Sequence, residues 1–531
     1  MRLRSSAGGW VLLLAAAAAA RADVRPHALV SDGMVLQRGA KCTVWGKADP
    51  GEKVTAKFLD RTAEAAAGDD GVFRAVIDLT AWDGKAGHGP HVLTLSGKNT
   101  VEIKDVYVGE VWVCSGQSNM QWTVNASDAS DKEAAKSAAA NPLVRMFTVE
   151  RIPQVRPTFD LKGAWKPATP ETTTGFSAVG YFFARDLSAA LGGVPVGMIS
   201  TNWGGTRAEA WTRAEVLMEL SPAYKAEVEK FRADVAKTGD APPPPPAQKG
   251  KAAPKPGQNP NAPSVLYNGM IFPVLPYAIK GAIWYQGESN AGKAYAYRDL
   301  FPAMISNWRA DWKQGDFPFF FVQLAPFMKV TEQPGESNWA ELREAQAMTL
   351  KLPATGMAVI TDLGHEADIH PTPKKPVGER LSLIARATVY GEKVEYSGPV
   401  FKEMKVDGNK AVLTFDHVAG GLETRELVPT DERKDAKTKA SRGSAWRVKA
   451  GSAGVPLTGF AVAGEDRKFH NAKAEIVGDT VVVTCEAVAK PVAVRFGWAQ
   501  HPVVNLFNKA GLPASPFRTD DWPGMTAPKP Q

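Results

Sequence analysis

Between Val106 and about residue 392 the chain repeats one pattern: a short apolar run, a turn, then a helix-like segment. The apolar runs are Val106–Val113, Val144–Val149, Val196–Ser200, Ala278–Tyr285, 318–324 and 357–361. The helix-like segments fall at 129–140, 179–191, 213–237, 297–312, 338–351 and 374–389. Strands separated by helices must cross over and lie parallel, with the helices covering both faces of the sheet. The central run Val111-Trp-Val-Cys114 is continuously apolar rather than alternating, as a strand buried on both faces is. The expectation is a three-layer α/β domain over 106–392 built on a mostly parallel sheet.

The flanks have a different grammar. From Asp23 to residue 105, short β-like runs (Cys42–Gly46, Lys53–Phe58, Gly71–Leu79, His91–Ser96) are separated by Asp/Pro/Gly turns, as in a small β-sandwich. Such a module can bind glycan, though packing is its simpler role. From 393 to 500 strands return (Ala411–Phe415, Ala445–Val448, Ala474–Val477, Thr480–Cys485, Val492–Phe496), with the charged segment 423–444 expected as a loop. Residues 501–531 form a C-terminal segment expected to pack back on the core. Within the α/β region, 241–263 is rich in proline, lysine, glycine and asparagine and reads as a surface insertion that cannot build a core. With 531 residues, several domains are expected.

Residues 1–22 join a basic start (Arg2, Arg4), an apolar stretch Trp10–Ala20 and an Ala20-Arg-Ala22 cleavage pattern, which reads as an export signal. The expected mature protein is therefore periplasmic or secreted, with no membrane attachment after cleavage. Removing the signal lowers the formal charge from +7 to about +4, spread without a basic stripe, and nucleic acid is not an expected partner. The three cysteines, Cys42, Cys114 and Cys485, offer neither a disulfide framework nor a zinc pattern.

Three of the apolar runs end in turns that carry chemistry: Gly116-Gln-Ser118-Asn, Asn202-Trp-Gly-Gly205-Thr and Gln286-Gly-Glu-Ser-Asn290. In a parallel sheet such ends lie along one edge, where ligands bind. Ser118 supplies a hydroxyl and a backbone N–H; capping a helix is its bland alternative. Gly205 supplies an unobstructed N–H, and Gln286 and Asn290 supply side-chain amides for an oxyanion. A fourth turn, Thr361-Asp-Leu-Gly-His365-Glu-Ala-Asp368-Ile-His370-Pro, adds a base. His370 beside Asp368 suits the deprotonation of a serine hydroxyl. His365 and His370 are five apart and precede a proline, which argues against a zinc helix. Gly-Gln-Ser-Asn is not the Gly-x-Ser-x-Gly elbow of α/β-hydrolases.

Together these motifs, with Glu209-Ala-Trp211, Leu266-Tyr-Asn-Gly-Met270, Trp284-Tyr285, Val377-Gly378, Asn505–Asn508 and Gly511–Asp520, resemble the sialate O-acetylesterase family of SGNH (GDSL-like) hydrolases. The resemblance covers nearly all of the mature chain. It implies a flavodoxin-like three-layer catalytic domain with flanking β-sandwich-like domains. It also implies a metal-free and cofactor-free serine esterase that releases acetate from O-acetylated glycans such as sialic acids or xylan. It assigns Ser118 as nucleophile, His370 as base, and Gly205, Gln286 and Asn290 as oxyanion or substrate groups. Many SGNH enzymes place the acid three residues before the histidine, where this chain has Ala367. Asp368 is the first choice, with Asp362, Glu366 and Glu288 as alternatives. Trp122, Trp203, Trp211 and Trp284 flank the motifs and are candidates for sugar stacking or for core packing. A glycan-binding protein without turnover, and an arylesterase or lipase, are the rival functions.

Overall fold

The computed structural model describes residues 23–137, 141–238, 256–434 and 441–528. The expected export signal (1–22) and most of the proline-rich insertion (239–255) lie outside the described residues.

The centre of the molecule is a seven-strand run of sheet. Its strands are β1 (Thr100–Gly116), β2 (Asn141–Thr148), β3 (Trp165–Ala168), β4 (Val196–Asn202), β5 (Gly281–Tyr285), β6 (Phe319–Val322) and β7 (Thr355–Ala358). Their order is β3-β2-β4-β1-β5-β6-β7, with every pair parallel except the β3 edge. From β1 the chain places β2 and the β3 edge on one side first and then fills in β4 between β2 and β1. It then crosses to the other side for β5 and continues to β7. The order therefore reverses about β1, and the crevice between β1 and β5 is where a sheet of this kind binds ligands.

Both faces of the sheet are buried. Val111, Val113, Ile199, Trp284, Phe319 and Phe321 point to one face and pack with α2 (Ala294–Trp312) and α3 (Asn338–Met348), helix labels following chain order after α1 (Ala178–Ala190). Trp112, Cys114, Met198, Ile283, Tyr285 and Phe320 point to the other and pack with α1 and α4 (Lys375–Thr388). Two apolar faces explain why the runs read as continuously hydrophobic. Cys114 behaves as a small hydrophobe: burial pushes its thiol up to about 12.

β1 is longer than the apolar run that announces it. Its start pairs antiparallel with His91–Ser96, its middle pairs with Val35–Gln37, and its end lies between β4 and β5. The expected boundary at 105/106 thus falls within a continuous strand, beside Asp105, whose φ is 57°. Arg61–Ala66 was not anticipated as a strand, because alanine and glutamate are poor strand formers. It is drawn into the sheet by hairpin pairing with Lys53–Phe58.

Two further expectations change. The helix expected over 213–237 is two helices, Ala214–Leu220 and Pro222–Thr238, with the break placed by Pro222. The described residues of the segment 423–444 are not a loop: Leu427–Lys434 and Ser441–Val448 pair as an antiparallel ribbon. A two-stranded ribbon carries no second sheet over it, so a charged composition does not forbid pairing. Beyond α4, the sheet Val400–Asp407, Lys410–Asp416, Thr480–Thr484 and Lys473–Val477 shares a core with the sheet containing Phe460–Ala463 and Ala493–Phe496. Leu506–Asn508 and Phe517–Arg518 return to pair with this region.

Candidate active site

Register brings the motifs together. Gly116 at the end of β1 lies level with Asn202 of β4 on one side and Tyr285 of β5 on the other. The turns after these three strands therefore emerge side by side. Gly116 cannot carry a side chain: its φ is 131°, and a Cβ there would lie 2.2 Å from the Tyr285 carbonyl oxygen. This tight exit turns the chain directly into the short helix Ser118–Gln121.

Ser118 is the first residue of that helix, not its cap; Gln117 occupies the cap position, without a side-chain capping bond. The hydroxyl is used elsewhere. Ser118 Oγ lies 2.8 Å from His370 Nε2, and His370 Nδ1 lies 3.1 Å from Asp368 Oδ1. Asp368 Oδ1 also accepts the backbone N–H of His370 at 2.9 Å, which holds carboxylate and imidazole in one short turn. The Trp122 indole stacks on the imidazole, with ring centres 5.0 Å apart and planes 19° apart. The His370 side chain remains 26% exposed, so the pair is open to a ligand.

The other carboxylates have different partners. Asp362 is held by both terminal nitrogens of Arg380, each at 2.7 Å. Glu366 accepts the N–H groups of Val330 and Ser444. Glu288 accepts from Asn119 Nδ2 at 2.6 Å, and burial pushes its carboxyl above the usual range. His365 stays out of the site as well: its Nδ1 accepts the N–H groups of Ala367 and Asp368, which shapes the turn leading to His370. Among the described residues no group of three His, Cys, Asp or Glu side chains is placed to hold a metal ion. No described helix is long and apolar enough to cross a membrane.

The amide groups divide. No hydrogen bond from the Ser118 or Gly205 N–H to a protein acceptor is present among the described residues, and Gly205 is exposed at its turn with φ 75°. The neighbouring Gly204 packs against Ser118, and its own N–H donates to Gln121 Oε1 at 2.6 Å. Gln286 and Asn290 do not present free amides, which corrects the oxyanion expectation for both side chains. Gln286 Nε2 donates to Asn290 Oδ1 at 2.6 Å and to the Thr206 carbonyl at 3.2 Å, and its Oε1 accepts from Tyr297. Asn290 accepts the Ala208 N–H and donates to Glu209. Both are buried struts that pin the 204–211 turn to the end of β5.

The tryptophans divide too. Trp211 and Trp284 are fully buried and meet edge to face, with Trp308 against Trp284. Trp203 is half-buried and packs on the same core. Asn119 and Lys374, both buried beside the pair, carried no sequence signal beyond lying next to Ser118 and four residues after His370. A cavity of about 660 Å³ opens elsewhere, lined by Arg213, Phe231, Tyr267 and Asp311 among others, and takes in none of Ser118, Gly205, Gln286, Asn290, Asp368 and His370.

The family described as carbohydrate esterase, sialic acid-specific acetylesterase, matches residues 108–241 and 263–383. The gap in the match falls where the proline-rich insertion lies. The sialate O-acetylesterase of Homo sapiens is 31% identical over 447 residues, covering 76% of this chain and 79% of that protein. The Mus musculus sialate O-acetylesterase is 30% identical over 459 residues, covering 77% and 82%. A crystal structure of a carbohydrate acetylesterase from Xanthomonas citri matches with a TM-score of 0.75 and 38% identity, covering 94% of this chain and all of that one.

Proposed function

The chain belongs to the sialic acid-specific acetylesterase family of carbohydrate esterases and is a carbohydrate O-acetylesterase; from that premise we propose that Ser118, His370 and Asp368 form its catalytic triad and that its substrate is an O-acetylated sialic acid. One observation carries the triad: the Ser118 hydroxyl lies 2.8 Å from an imidazole nitrogen whose partner nitrogen lies against a carboxylate. The order of the parallel strands without β2, which is β4-β1-β5-β6-β7, is that of a flavodoxin-like sheet and supports an SGNH-hydrolase fold.

The reaction runs in two halves. In the first, Ser118 Oγ attacks the acetyl carbonyl carbon as its proton passes to His370 Nε2. Asp368 accepts from Nδ1–H, which fixes the tautomer and steadies the imidazolium. The Ser118 and Gly205 N–H groups donate to the oxygen that becomes negative in the tetrahedral intermediate. The sugar oxygen leaves, taking the proton from His370, and Ser118 is left acetylated. In the second half His370 deprotonates a water, which attacks the acetyl-serine; acetate departs and the serine recovers its proton.

The sialate esterases among the relatives support sialic acid as the sugar. The Xanthomonas citri enzyme is more identical to this chain and is described only as a carbohydrate acetylesterase, which leaves an acetylated plant polysaccharide such as xylan as the second reading. Export with removal of residues 1–22, and the division into 23–105, 106–392, 393–500 and 501–531, with the first boundary lying inside the strand Thr100–Gly116, belong to the same proposal and rest on the sequence patterns above.

The test is acetate release from O-acetylated sialic acid and acetylated xylan side by side. The wild-type protein is expected to act on the first, and Ser118→Ala to lose about 10⁴-fold or more in kcat while keeping its Tm. Retained activity in that variant overturns the nucleophile. Release from xylan alone overturns the substrate.

A further inference from the structure

Behind the Ser118–His370 pair lies a buried set of polar groups that acyl transfer does not itself use. Asn119 is fully buried. Its Nδ2 donates to the Ile369 carbonyl at 3.1 Å and to Glu288 Oε1 at 2.6 Å. Its Oδ1 accepts from Lys374 Nζ at 2.5 Å. Asn119 follows the serine and Ile369 precedes the histidine, so a single amide ties the nucleophile's turn to the base's turn.

Lys374 is 0% exposed. Its ammonium lies 5.6 Å from the ring centre of Trp122 and 5.4 Å from that of Tyr285. Trp122 is the ring that stacks on His370. The backbone N–H groups of Lys374 and Lys375 donate to Asp131 Oδ2 at 2.6 and 3.0 Å, which anchors the start of α4. Burying a cation is costly unless partners offset it. Here an amide oxygen, two aromatic faces and the Glu288 carboxylate offset part of that cost.

An asparagine amide has two orientations of nearly the same shape, with oxygen and nitrogen exchanged. A cation at one end and a carboxylate at the other select one of them. Only in that orientation can the nitrogen reach the Ile369 carbonyl as a donor.

Resting on the reading of Ser118 and His370 given above, we infer that Lys374 is a positioning residue for the esterase reaction: it orients the Asn119 amide and steadies the Trp122 ring, and so holds the His370 imidazole on Ser118. Burial brings the lysine down to about 7, with Arg447 acting in the same direction, against Glu288, Asp131 and Asp368, which favour its charged form.

The experiment compares Lys374→Met, Asn119→Ala and their combination in the full chain, using hydrolysis of a small aryl acetate, with Ser118→Ala as the reference for lost chemistry. Lys374→Met is expected to lower kcat by about 10- to 100-fold, with KM within threefold and Tm within a few degrees. The combined variant is expected to lose no more than the worse single variant, because the two residues act as one unit. Unchanged kcat, a change confined to KM, or additive losses overturn the inference. If Lys374→Met does not fold, the paired variant Lys374→Met with Glu288→Gln, which removes both charges, is read in its place. Failure of that variant to fold also overturns the inference, since it would make the network a stability element. Activity in Ser118→Ala would instead strike the nucleophile assignment and leave the Lys374 result to be read on its own.

Discussion

Gly116 carries more of the site than its size suggests. It sits between the last buried residues of β1 and the serine, in a backbone conformation that favours glycine and against the Tyr285 carbonyl. A Gly116→Ala substitution must both strain the backbone and push β1 from β5. It is expected to cost about 3 kcal/mol or more in stability and to lower kcat by shifting Ser118 from His370. Urea unfolding and aryl acetate kinetics on the same preparation check both halves; a fully stable, fully active variant would contradict the close approach. Asp368 is the carboxylate that lies against His370 Nδ1. The sequence offers four carboxylates to one histidine, and three of them are engaged with Arg380, with backbone N–H groups or with Asn119.

At the scale of elements, the site is a set of turns braced from outside. The 204–211 turn is locked by the Gln286–Asn290 pair, and the 361–370 turn is locked by the ribbon of Leu427–Lys434 and Ser441–Val448. Trp446 N–H donates to the Gly364 carbonyl, and Glu366 exchanges bonds with Ser444 in both directions. Replacing Asn290 by alanine removes the acceptor of the Ala208 N–H and of Gln286 Nε2, and the donor to Glu209, all in a buried setting. The expected cost is about 2–4 kcal/mol by chemical denaturation, with a fall in kcat as the Gly205 turn loosens. Wild-type stability in that variant would refute the strut assignment. The sequence offers Gln286 and Asn290 as side-chain amides at a strand end. It could not tell a donor aimed at substrate from a donor aimed at the next turn, because that depends on which backbone groups other strands bring near.

At the scale of the molecule, the three regions share interfaces that pH can weaken. His27, stacked on Trp45, and His501, held against the Met328 carbonyl, are both brought down to about 4 by burial. In the unfolded chain each takes a proton near 6.5. Each is thus buried neutral, with its contribution complete above about pH 6.5 and lost as pH falls toward 4, on the order of 3 kcal/mol apiece. Thermal unfolding at pH 7 and pH 5 is expected to show a marked loss of Tm at the lower pH, and a smaller loss in His27→Gln and His501→Gln variants. Equal losses in all three proteins would rule this out. Arg343 joins the regions in another way: fully buried on α3, it donates to carbonyls of Leu324 and Ala325 in the α/β region and of Ala499 and Gln500 beyond it.

What the sequence determined by itself was local and periodic. Alternating apolar runs and helical segments dictate crossovers and a parallel sheet, and glycine- and polar-rich strand ends mark the edge where Ser118 and His370 are found. These signals need only the chemistry of adjacent residues. The tertiary structure alone decided the rest: the partner carboxylate of His370, the structural use of Gln286 and Asn290, the ribbon in a stretch that reads as a loop, and the buried Lys374. Each of these turns on which groups lose water together. A carboxylate or an ammonium taken out of water must find a counter-group, and that group comes from residues remote in the chain, as Asn119 does for Lys374 across 255 positions.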